Sequence, residues 1–132
     1  MVVVACVVIQ CNQPTFNMKV YVEGHSYTVE NFESDSTQVI NFIHKLPAKE
    51  AVERGIIEDS ADLAPETLVT VNEGTTNEEV LSVLIDRMNH LQSKFPCREN
   101  AIVITKLEEC LMWLNKRTAD RKARNVEGKQ LA

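Results

Sequence analysis

Apolar positions recur at helical spacing along one long stretch, Asn77 to Gly128. Leu81, Leu84, Ile85, Met88, Leu91 and Phe95 form one stripe, with Arg87, His90 and Lys94 beside it. That spacing predicts an amphipathic helix. Thr76 and Glu79 stand at capping-box distance, and Glu78 and Glu79 suit the positive end of the helix dipole. Pro96 ends this helix, because the residue before a proline is pushed away from helical geometry. A second helix is expected from about Glu99 into the Arg124 region, with Gly128 as its stop. Val103, Leu107, Cys110, Leu111 and Leu114 form its main stripe, while Ile102 and Trp113 fall on another face. Joined at Phe95-Pro96-Cys97-Arg98, the two helices predict an antiparallel hairpin. One face packs helix on helix; the other needs a partner in the N-terminal half or in another chain. Trp113 suits either an intrachain core contact or an interchain one.

The N-terminal half has a different rhythm. Val2 to Ile9 is valine-rich and too short for a typical helix, so it predicts a buried strand, broken by Asn12, Gln13 and Pro14. Met18 to Val22 and Ser26 to Val29 flank Glu23-Gly24-His25, which predicts a hairpin turn. Thr37 to Lys45 fits either period, and its β-branched residues with the following Pro47 favour strand. Ala48 to Gly55 predicts a short helix ended by glycine, Asp59 to Glu66 a loop, and Leu68 to Val71 a strand. The expected fold is α+β. A small antiparallel β-rich region over 1–74 precedes a helical hairpin over 75–132 that binds ligand and oligomerises, within one compact domain.

Charge and cysteines narrow the chemistry. A net charge of -5 with a pI near 5.2 argues against general binding of polymeric nucleic acid, yet permits a local anion site. Cys6, Cys11, Cys97 and Cys110 contain no CxxC pair and form no zinc framework with His25, His44 and His90. No metal or cofactor is expected, and the thiols are expected to be free in a reducing cytoplasm. Met1 to Cys11 lacks the basic leader of a lipoprotein signal, and no segment is long enough to span a bilayer.

No catalytic constellation stands out. The chain has no nucleophile elbow, no HExxH and only four glycines for a phosphate cradle. Glu108 and Glu109 are adjacent, so they point to different sides of a helix and make a poor acid–base pair. His25 and His44 have no partner in sequence and read as structural. The main stripe of the second helix runs on to Arg117 and Arg121, amid Lys116, Lys122, Arg124 and Lys129. These cations either complement the helix dipole in solvent or clamp a phosphorylated ligand, whose oxygens match the guanidinium fork.

The stretches FPCREN, ITKLEE, MWLNKRTADR and ARNVEG resemble the helical hairpin of phage anti-defence sponges. That family comprises Thoeris anti-defence proteins and the smaller anti-CBASS cyclic-nucleotide sponges. The resemblance is dense over about the last 60 residues, and the β-rich first half is more like the Thoeris type. It implies binding without turnover, in the cytoplasm of an infected bacterium. The implied ligand is a glycocyclic ADP-ribose isomer, and cyclic di- or trinucleotides for some members. Hexamers are implied too. Asn100 of the REN motif would hydrogen-bond the ligand, and Arg117 and Arg121 of KRTADR would contact phosphate or ribose. His90 stands where the family has a stacking aromatic. Thr105 and Lys106 are either a second cyclic-oligonucleotide site or an exposed helix face.

Helix geometry adds a constraint. Asn100 and Arg117 are seventeen residues apart on one helix, or ~25 Å at the standard rise. A compact ligand touching both requires arginines from a neighbouring chain, hence an oligomer with sites at interfaces. Two other classes stay open. One is an enzyme degrading the signal with Glu108, Glu109 or His90; the other is an interaction module whose basic end meets an acidic partner.

Overall fold

Short β-branched runs separated by turn residues build the first strands. The computed structural model describes residues 6–7 and 18–131. The chain divides into two compact units. One is the chain up to Lys45 with Thr70–Thr75; the other is Leu46–Val69 with the chain from Thr76 onward. The architecture is α+β, strands first and helical hairpin last, as the sequence implied.

The first unit holds an antiparallel meander in the order β1 (Cys6–Val7), β2 (Met18–Val22), β3 (Ser26–Glu30), β4 (Thr37–Asn41). The remainder of the strand expected over Val2 to Ile9, and the break at Asn12 to Pro14, lie outside the described residues. The hairpin at Glu23-Gly24-His25 forms as expected. His25 donates its amide to the Val22 carbonyl at 3.0 Å, and Gly24 takes φ 76°, which a side chain would strain.

The run Thr37 to Lys45 is extended but not one strand. β4 ends at Asn41, where Thr75 donates to its carbonyl at 2.8 Å and accepts from the Ile43 amide at 2.9 Å. β5 (His44–Pro47) then pairs with β6 (Leu68–Asn72). Hydrophobic periodicity marks extended chain but cannot say where that chain changes partner.

In the second unit α1 (Ala48–Glu53) buries Ala48 and Ala51 and is followed by Gly55 at φ 69°. α2 (Asn77–Lys94) and α3 (Arg98–Ala123) pack on each other. The Thr76 hydroxyl accepts the Glu79 amide at 3.2 Å, the N-cap expected from the sequence. At the connector the Gln92 side chain grips both sides of Cys97. Its Oε1 accepts the Cys97 amide at 3.0 Å and its Nε2 donates to the Cys97 carbonyl at 3.1 Å. Cys97 Sγ in turn accepts the Asn100 amide at 3.4 Å and caps α3.

The inward side of α3 differs from the expected stripe. Asn100, Ile104, Leu107, Leu111, Leu114, Thr118 and Arg121 are half-buried, at alternating spacings of four and three. That is the seam of a coiled-coil-like pair. Val103 and Cys110, expected on the stripe, are exposed. The helix also stops before Gly128. Asn125 takes φ 56°, its amide reaches the Lys122 carbonyl at 3.0 Å, and the Val126 amide reaches Arg121 at 3.1 Å. These two bonds are a Schellman motif, with asparagine in the left-handed position that glycine usually fills. Among the described residues no helix is long and apolar enough to cross a membrane.

Candidate anion-binding site

Beyond the Schellman turn the chain folds back along 66–68. Leu68 donates its amide to Gly128 at 2.8 Å, and Gln130 donates to Glu66 at 3.0 Å. Arg121 locks this return. Its Nη2 donates to the Val126 carbonyl at 2.9 Å and the Lys129 carbonyl at 2.6 Å, and its Nη1 to the Leu131 carbonyl at 2.9 Å. A planar fork with five N–H donors suits this multiple grip, which is spread over both terminal nitrogens.

Arg117, one turn earlier and exposed, shares an open cleft of about 470 Å³ with Arg121, Lys129, Leu68 and Leu131. That volume lies within the range of small-molecule sites. Among the described residues the cleft is lined by three cations and no carboxylate. A larger cleft beside α1, about 690 Å³, is lined by Glu50, Glu53 and Glu66 against Lys49 and Arg54, and Arg54 is already paired with Glu50. The charge balance there disfavours an anion.

The structure therefore brings Arg117 and Arg121 into one cleft, but sets His90 and Asn100 elsewhere. Asn100 stands in the first turn of α3, half-buried. His90 is exposed on the last turns of α2, and its carbonyl accepts the Ser93 hydroxyl at 2.7 Å. Because α3 is continuous from Arg98 to Ala123, the ~25 Å separation of Asn100 from Arg117 stands. Thr105 donates its hydroxyl to the Ala101 carbonyl at 3.1 Å, and Lys106 pairs with Glu109 at 3.3 Å. Both contacts are local to α3.

Three features escaped sequence reasoning. The cleft wall formed by 126–131 depends on a backbone return that no periodicity signals. Gln92 gave no sign of its grip on the connector. His25 and His44, each unpartnered in sequence, stack on one another with ring centroids 3.8 Å apart.

Fold and cleft define a class: an α+β protein whose C-terminal helical hairpin ends in a cleft lined, among the described residues, by cations and no carboxylate. Residues 56–119 match the family described as Acb2/Tad1, hairpin domain. Over this segment the chain is similar to the Acb2/Tad1 hairpin domain, the group its C-terminal motifs resemble. Thoeris anti-defense 1 of Bacillus phage SBSphiJ7 is 59% identical over 56 residues, which cover 42% of this chain and 39% of that relative. The matched part is thus about two fifths of the relative's length.

Proposed function

We propose that this protein is a phage anti-defence sponge. It binds a cyclic nucleotide-derived immune signal in the cytoplasm of the infected host and withholds it uncleaved from the Thoeris effector. The signal on this reading is a glycocyclic ADP-ribose isomer, with cyclic di- or trinucleotides as further ligands. The observation that carries the reading is the cleft pairing Arg117 with Arg121, on a hairpin close in sequence to that of Thoeris anti-defense 1. Arg117 is a guanidinium without a carboxylate partner among the described residues, the state in which it can accept phosphate.

His90 and Asn100 join the site from a second protomer. A second observation supports that assembly. Val83, Ile102, Met112 and Trp113 are exposed at 65%, 45%, 54% and 57%. So much uncovered apolar surface marks an interaction face, which the proposed homo-oligomer, a hexamer, covers. Thr105 and Lys106 are the proposed second site for cyclic oligonucleotides.

Mixing the protein with purified glycocyclic ADP-ribose, measuring depletion, then heat-denaturing and chromatographing the ligand tests this reading. Intact ligand returned in proportion to protein is expected. Altered ligand makes the protein an enzyme. Absence of depletion leaves an interaction module.

A further inference from the structure

The basic end of α3 contains fewer available charges than the sequence suggests. Lys116 pairs with Asp120 at 2.8 Å, and Lys122 with Glu127 at 3.6 Å. Arg121 directs three N–H bonds to the carbonyls of Val126, Lys129 and Leu131. Arg124 also has a partner. Arg117 and Lys129 remain, with no ion pair or side-chain hydrogen bond among the described residues. These two remaining cations line the same cleft.

From this we infer that Arg117 and the Lys129 ammonium together grip the phosphate groups of the ligand, and that Arg121 is a positioning residue that sets Lys129. This refines the site of the function proposed above and rests on that reading. The physical reason is the division of labour between the side chains. Arg121 is half-buried on the helix–helix seam, and its bond to the Lys129 carbonyl, at 2.6 Å, is the shortest of its three. Lys129 is held further by its amide bond to Val126 at 3.2 Å and by an antiparallel bridge to Thr67. Its backbone is thus fixed before ligand arrives, and less ordering accompanies binding. Two cations in a cleft that holds no carboxylate among the described residues suit a dianion with spaced charges, such as a diphosphate.

Calorimetric titration of the full chain with inorganic pyrophosphate at low salt tests the assignment. Lys129→Met and Arg117→Met should each weaken binding about tenfold, the effect of losing one charge-assisted hydrogen bond. Lys129→Arg should restore it. Lys122→Met, which removes a cation already paired with Glu127, should leave it unchanged. In an Arg121→Lys background, adding Lys129→Met should cost little more, because Lys129 is then no longer positioned. Unchanged affinity in a folded Lys129→Met variant overturns the proposal. So does an equal loss in Lys122→Met, which would mark diffuse surface attraction, and so do additive losses in the double variant. Glycocyclic ADP-ribose titrated in parallel separates the two readings. If pyrophosphate follows this pattern while glycocyclic ADP-ribose does not bind, the diphosphate site stands and the sponge reading falls.

Discussion

At the scale of single residues, the two arginines of one motif have different surroundings. Arg117 is exposed and has no ion pair among the described residues, whereas Arg121 ties the returning chain through three carbonyls. Arg117→Ala is therefore expected to weaken signal binding by about 2–3 kcal/mol with the melting temperature unchanged. Arg121→Ala should weaken binding and also lower the melting temperature, because three acceptors lose a charged donor. Calorimetry beside thermal unfolding distinguishes the two, and identical melting behaviour would contradict the structural role of Arg121. Gln92 bonds both the amide and the carbonyl of Cys97. Gln92→Ala should cost about 1–2 kcal/mol in denaturant unfolding, an effect that an ordinary surface glutamine would not show. Spacing identified both arginines as candidates. It could not separate them, because the partners of Arg121 are backbone atoms placed by a later turn. The stacked His25 and His44 were hidden for a related reason: residues far apart in sequence meet only when strands register.

At the scale of elements, the helices were the most legible part. The helical span of α2, the Thr76 cap and the stop near Pro96 are local properties and are realised, whereas Leu84 and Phe95 of the expected stripe are exposed. The inward stripe of α3 was less so. Val103 and Ile104 are adjacent and equally apolar, and packing against α2 selects Ile104. α3 ends in the Arg124 region as expected, but its stop is Asn125 and not Gly128, because asparagine also tolerates left-handed geometry. Gly74 has a role that its sequence context conceals. A Cβ there would stand 2.5 Å from the Asn41 oxygen and 2.7 Å from the Ile43 nitrogen. Gly74→Ala should therefore disrupt the bonds between Thr75 and the end of β4, with a loss of about 1–3 kcal/mol. Hydrogen exchange at Ile43 and Thr75 reads this directly; retained protection there would refute the close approach.

At the scale of the molecule, the exposed apolar face dominates. Trp113 is 57% exposed and does not serve as an intrachain core contact. Among described side chains the second unit buries fully only alanines of α1, and no residue of α2 or α3. Helices in globular proteins draw most of their stability from tertiary packing, which supports the proposed assembly as the cover of this hairpin. Trp113→Glu should convert the proposed assembly to smaller species in sizing with light scattering, because a carboxylate is costly to bury in an apolar interface. An unaltered mass would place the interface elsewhere.

The sequence alone determined the α+β order, the helical hairpin and its likeness to the Acb2/Tad1 hairpin domain, since these follow from period, caps and motifs within neighbouring residues. The tertiary structure decided which cations keep their charge available and which wall faces them. Those depend on a chain reversal after α3 and on bonds to 66–68, contacts between segments that local pattern does not encode.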